Sequence, residues 1–245
     1  MSLLSQLRLL IKVFLMIILL TPSILKAQTR SIILRLEPTF GNQPLVLDTP
    51  YYPLPEGDSL QITNLKFYLS HIELKEGQKI VWTEPNSFHL VDMATLKSLV
   101  LVLDIPKSIT FDAIKFNLGI DSLTNIEGAK GGDLDPTKGM YWSWQGGYIN
   151  FKLEGISRNC PTRKNKFQFH IGGFLEDEYA IQTMVFPLTK SNLNAFVMEF
   201  DVQKFLSVID FKTQNNIMSP STQAVDLAKK LTRFFTLKES LADEE

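Results

Sequence analysis

The chain has 245 residues, 44% of them hydrophobic and 21% charged, with 25 Lys and Arg against 26 Asp and Glu. A net charge of −1 with interspersed signs leaves no basic stripe to neutralise phosphates, which argues against a nucleic-acid partner. The single cysteine, Cys160, excludes an internal disulfide, so stability must come from packing.

Met1 to Ala27 reads as a secretory signal peptide. Arg8 and Lys12 precede an unbroken apolar run from Val13 to Leu20, which ends at Thr21-Pro22-Ser23 and reaches a small residue at Ala27. The run is shorter than the roughly 20 residues of a bilayer span, so a stable transmembrane anchor is not expected. Cleavage after Ala27 predicts a periplasmic or secreted protein, and the loss of Arg8, Lys12 and Lys26 without any acid moves the net charge from −1 to −4. Residues 28–240 are then expected to form a single β domain, followed by an acidic tail at 241–245.

Ser31 to Leu36 opens a first strand, and Pro38 to Pro55 reads as loop with a short strand at Leu45 to Leu47. Leu60 to Leu74 is the longest β signal. Leu65, Phe67 and Leu69 share one face by period 2; after Ser70 the apolar pair becomes Ile72 and Leu74, which predicts a bulge or bend near Ser70-His71. A turn at Glu76-Gly77 leads into Lys79 to Thr83, followed by strands at Ser87 to Val91, Ser98 to Ile105 and Ala113 to Ile120. Asp121 to Lys138 is a polar, Gly-rich loop. Tyr148 to Leu153, Lys166 to Ile171, Ile181 to Phe186 and Ala195 to Asp201 supply the later strands. From Pro220 to Phe235, Ala224, Leu227, Ala228, Leu231, Phe234 and Phe235 recur at helical spacing behind Ser219-Pro220, predicting one amphipathic helix. The fold class is therefore mainly β, an antiparallel β-sandwich-like domain with one C-terminal amphipathic helix.

Few residues suit chemistry. Of three histidines, two sit in matched contexts, Phe88-His89-Leu90 and Phe169-His170-Ile171, with apolar flanks on one side of the strand and histidine on the other. Such a pair either converges on a metal that imidazole suits, copper or zinc, or is two unrelated surface or half-buried histidines. His71, beside the phase change, is a weak ligand candidate and more readily structural. In Gly139 to Tyr148, Trp142 and Trp144 share a face if the backbone is extended, with Met140 in phase. Core packing, an aromatic platform for sugar, and the surroundings of a metal site are the three readings. Met140 and Cys160 are weak candidates as soft donors. Asp121, Asn125, Glu127, Asp133 and Asp135 place oxygen donors in one loop, but their spacing misses the twelve-residue calcium loop and reads as a solvated loop. No Gly-x-Ser-x-Gly elbow, phosphate loop, His-Glu-x-x-His helix or Cys-x-x-Cys pair occurs, so neither turnover nor an organic cofactor is expected.

LKFYLSHIEL (65–74), EPNSFHLVD (84–92), KFNLGIDSLTN (115–125), GDLDPTKGMYWSWQGGYINFKLEG (132–155), FQFHIGG (167–173) and, more weakly, NIMSPSTQAVDLAKKLTRFF (216–235) run in order through the chain. In these segments it resembles the MbnP-like family of secreted or periplasmic copper-binding proteins associated with methanobactin gene clusters. The GMYW-x-W-x-x-GY and FHIGG blocks are the specific parts. The resemblance implies a β-sandwich-like domain without established catalysis. It also implies Cu(I) held by histidines near a tryptophan oxidised to a kynurenine-type residue, with a MauG-like diheme peroxidase as the oxidising partner. Carried onto this chain, it makes His89 and His170 the metal ligands and Trp142 and Trp144 the candidates for modification. His71 falls where relatives often have Asn, and Asn216-Ile217-Met218 lacks a histidine that some relatives carry there. Copper capture or storage outside the cytoplasm is the expected function. The alternative is a non-catalytic surface or periplasmic module for a carbohydrate or protein, which requires an exposed flat pair of tryptophans.

Overall fold

Alternation of apolar and polar residues drives most of the chain into strands. The structure, a computed structural model, describes residues 28–48, 51–54, 59–189 and 193–240. The signal peptide and the acidic tail read from the sequence lie outside the described residues. The strands are β1 (Thr29–Phe40), β2 (Gln43–Pro44), β3 (Tyr52–Pro53), β4 (Ser59–Glu76), β5 (Lys79–Thr83), β6 (Phe88–Asp92), β7 (Val100–Pro106) and β8 (Ala113–Leu118). After a long loop come β9 (Tyr141–Trp142), β10 (Gly147–Ser157), β11 (Lys166–Gly172), β12 (Gln182–Pro187), β13 (Ala195–Asp201), β14 (Asn216–Ile217) and β15 (Phe235–Ser240). Helices α1 (Ser122–Ile126), α2 (Val202–Ser207) and α3 (Thr222–Leu231) each begin at a capping side chain: Asp121, Asp201 and Ser221. Among the described residues no helix is long and apolar enough to cross a membrane.

Two sheets result. The smaller runs β15-β13-β1-β2, with β7 also on β1; the larger runs β12-β8-β4-β10-β11-β14, with β3, β5 and β6 on β4 and β9 on β10. The mainly β, sandwich-like fold is the expected one. Two pairings, β1 with β13 and β11 with β14, are parallel rather than antiparallel.

β4 organises the larger sheet. Its first half pairs with β10 from Leu60 to Phe67, and its second half pairs with β8 from Leu69 to Lys75. The register shifts between Ser70 and Glu73, where His71 adopts a left-handed φ of 51°. This irregularity is the phase change visible in the sequence. It lets Leu65, Phe67 and Leu69 before the bend, and Ile72 and Leu74 after it, all enter one core.

That core lies between the sheets, and a group of aromatic rings links them across it. The Phe67 ring centroid is 6.1 Å from Phe151 on β10, 6.5 Å from Phe200 on β13 and 5.6 Å from Phe235 on β15; Phe200 and Phe235 stack at 4.5 Å. A second cluster covers the opposite, outer face of the larger sheet, where Tyr68, Leu90, Ile120, Leu134, Met140, Trp142, Tyr148 and Ile149 are buried beneath the loop after β8.

Two expected boundaries move. The C-terminal helix ends at Leu231, and after a 3-10 turn Phe235 starts a strand that pairs with β13. The edge of β13 offers ladder hydrogen bonds, and Phe235 enters the main core from β15. The short strand expected at Leu45 to Leu47 is absent: β1 runs on through Pro38 to Phe40, and brief bridges form at Gln43–Pro44 and Tyr52–Pro53 instead.

Because Phe67 joins both sheets through ring contacts, Phe67→Ala should cost about 3–5 kcal/mol. Urea titration followed by circular dichroism measures it. Val102→Ala, at a 57% exposed position, should stay within about 0.5 kcal/mol.

Candidate metal centre

The strand register decides which side chains share a face. His89 stands opposite Leu69, which stands opposite Leu118, and both leucines belong to the main core. His170 stands opposite Lys152, which stands opposite Lys66. Since side chains alternate along β4, Leu69 and Lys66 point to opposite faces. His89 is therefore on the inner face at the rim of the core, and His170 is on the outer face. The matched Phe-His contexts have reversed sense: Phe88 and Leu90 join the outer cluster, whereas Phe169 and Ile171 join the main core. The structure does not bring the two histidines together.

Around His170 the outer face carries a polar network. His170 Nε2 lies 2.7 Å from Glu154 Oε1, with the imidazole side chain 7% exposed. Asn64 Nδ2 donates to Glu154 Oε2 at 3.1 Å, and Gln168 Nε2 donates to Oε1 at 3.3 Å. The hydrogen bond from His170 foremost, then those from Asn64 and Gln168 and the nearby Lys152 charge, hold the Glu154 carboxyl down at about 2 against the opposing effect of burial. Lys152, whose ammonium burial pushes below its usual value, donates to Gly139 O at 3.0 Å. Lys66 pairs with Asp92 at 3.0 Å.

Two residues beyond His170 on the same face is Gly172, and Trp142 lies against it. A Cβ at Gly172 would fall 2.7 Å from the Trp142 ring and 2.6 Å from Tyr148 O, so the absent side chain is the space the indole occupies. The FHIGG and GMYW segments thus interlock. Met140 is wholly buried beside Trp142 in the outer cluster. Trp144 does not continue their phase: the backbone turns at Trp142, whose carbonyl accepts from Gln145 N and Gly146 N, and Trp144 emerges 66% exposed. The two indoles are 6.1 Å apart and inclined by 51°.

The other candidates lie elsewhere. His89 Nε2 pairs with Glu84 Oε2 at 2.7 Å. His71, in the β4 bend, is 3.8 Å from Asp121 Oδ2 and edges onto the Phe88 ring. Cys160 is buried in the main core, whereas Trp142 belongs to the outer cluster. The oxygen donors of the long loop serve local structure. Asp121 caps α1, Asp135 accepts from Thr137 N, Glu127 pairs with Lys130, and Asp133 accepts from Leu90 N and pairs with Lys138. Asn125 bridges Ile120 O and Tyr148 N. Among the described residues no three His, Cys, Asp or Glu side chains gather into a metal-binding group. Glu154 and Glu84 were not singled out in the sequence. Glu154 was visible there only as a polar residue in phase with Lys152, and its pairing with His170 depends on the β10–β11 register.

The family model for MbnP matches residues 29–219. The chain belongs to the MbnP family. MbnP from Methylosinus trichosporium has a similar solved structure, with a TM-score of 0.60 at 12% identity over 87% of this chain and 99% of that one. At that identity the likeness establishes the MbnP fold. No curated protein matches the chain. The family match includes both interlocking segments and stops short of α3 and of β15, which forms one edge of the small sheet here.

Gly172→Ala must displace either the Trp142 ring or the β10 backbone. A loss of about 1–3 kcal/mol in chemical denaturation is expected, with altered tryptophan emission in the folded state. Glu154 contributes to stability with a definite sign. Its folded value is depressed from 4.5 to about 2, so its contribution is complete above 4.5 and disappears as pH falls towards 2. Glu154→Gln should flatten that part of the acid limb in a pH series of thermal melts.

Proposed function

We propose that this chain is an exported copper-capture or storage protein whose Cu(I) site forms on the outer face, at His170 beside Trp142. The observation that carries the reading is the seating of the Trp142 indole in the space left by Gly172, which joins the two most family-specific segments on the strand that carries the buried His170. Membership of the MbnP family, a copper-binding family, supplies the metal class. Cu(I) accepts low coordination by imidazole and soft or aromatic-nitrogen partners, so His170 with one further donor suffices. A kynurenine-type product of Trp142 would offer that donor. Trp142 is favoured over Trp144 because its ring lies over the strand that carries His170. A MauG-like diheme peroxidase is the proposed oxidising partner. His89, on the other face, is not a ligand in this reading. A sugar platform finds less support, since Trp142 is only 6% exposed and the indoles are not coplanar.

Native mass spectrometry with added Cu(I) tests the proposal on the full exported chain and on the H170A and H89A variants. One retained copper is expected in the unaltered protein and in H89A, and none in H170A. Retention in H170A with loss in H89A would move the site to the inner face at Glu84. No uptake by the unaltered protein, even with Trp142 oxidised, would end the copper reading.

A further inference from the structure

We propose that Glu154 is the positioning residue of the copper site: it fixes the ring proton of His170 on Nε2 and so leaves Nδ1 as the nitrogen that meets the metal. The inference rests on the copper reading above for its second half and on hydrogen-bond geometry alone for its first.

An ionised carboxylate only accepts hydrogen bonds. With Glu154 Oε1 2.7 Å from His170 Nε2, a neutral His170 must carry its proton on Nε2 and keep the lone pair on Nδ1. Among the described residues, Glu154 is the ring's hydrogen-bond partner. The carboxylate is itself held at both oxygens, by Asn64 from β4 and Gln168 from β11. The register makes this bracing inevitable, because Glu154 stands directly opposite both Asn64 and Gln168. His170, one pair along, reaches it diagonally across the same face. Three strands therefore fix the acceptor, and the acceptor fixes the ring. Histidines that bind metals commonly donate their second N–H to such a carboxylate, which sets the tautomer and raises the basicity of the ligating nitrogen. The His89–Glu84 pair has the same 2.7 Å separation on the opposite face. It supplies an internal reference that a change at Glu154 should not touch.

With His71, His89 and His170 as the only histidines, histidine-selective ¹⁵N labelling reads each ring separately. Metal-free protein at mildly alkaline pH should show His170 as a single tautomer with a protonated Nε2 and a bare Nδ1. Glu154→Leu should produce a mixture of tautomers at His170 while His89 stays unchanged. Glu154→Gln keeps the packing and one acceptor oxygen, and should restore part of the bias. Cu(I) affinity, measured by competition with a chromogenic chelator, should fall about 10–100-fold in E154L and less in E154Q. In the Cu(I)-loaded protein the Nδ1 resonance should move while Nε2 keeps its proton. A proton on Nδ1 of unaltered His170, or a tautomer that E154L leaves unchanged, overturns the positioning role. If E154L loses its fold, seen as collapse of the His71 and His89 dispersion, Glu154→Ala takes its place, and a wild-type tautomer ratio in E154A counts against the inference. If the unaltered protein takes up no Cu(I), the copper reading and the assignment of Nδ1 as ligand fall together. The metal-free spectra would still decide whether Glu154 governs the ring.

Discussion

The bend in β4 is the constraint on which the other layers rest. An 18-residue strand of constant phase would present one apolar face to one partner sheet. Placing His71 in the left-handed region resets that phase, so that β10 takes the first half of one edge and β8 takes the second. A left-handed conformation at a residue with a Cβ costs roughly 1–2 kcal/mol. The surroundings that offset it are specific: Ser70 Oγ donates to Gly119 O at 2.6 Å, and Ile72 N donates to Ser87 Oγ at 2.9 Å.

From that strand the molecule builds outward in two directions. Inward, Phe67 meets the aromatic rings of the small sheet and closes the sandwich. Outward, Tyr68 anchors a thinner layer in which its hydroxyl donates to Asp133 O while Tyr148 Oη donates to Leu134 O and accepts from Lys130 N. The long loop is thus tied down by tyrosines and by its own carboxylates, and its burial over Met140 and Trp142 gives the outer face a dry floor beside the polar His170 network. The candidate centre lies where these two surfaces meet, on the rigid β10–β11 ladder.

Periodicity along single segments was enough to read most of this fold. The alternation in β4, its change of phase, and the longer strands from Lys79 to Asp201 show in one-dimensional patterns because each depends on neighbours within a few residues. What escaped depends on partners far away. The apolar spacing of α3 runs on through Phe234 and Phe235, yet the open edge of β13 draws Phe235 into a strand. The Trp142–Trp144 phase fails because the chain turns at Gln145 and Gly146. His89 and His170 look alike in sequence, but which side of a strand is the inside is set by the register with the next strand. For the same reason Glu154 passed unnoticed, as one carboxylate among 26 acidic residues. Residues of the candidate centre were therefore legible as types, while their grouping was not.

The small sheet draws together remote parts of the chain. β1 lies parallel to β13, with Ile33 beside Ala195, and β15 then takes the outer edge of β13. Pairings between segments so far apart must meet the entropy of closing a very long loop before any contact repays it, which makes folding slow. A nascent or partly emerged chain can form the β4 hairpins but not the sheet that covers Phe67. Until Phe200 and Phe235 arrive, that aromatic face stays open to solvent and to any chaperone that recognises exposed rings, and the sandwich closes only once both ends of the domain are present.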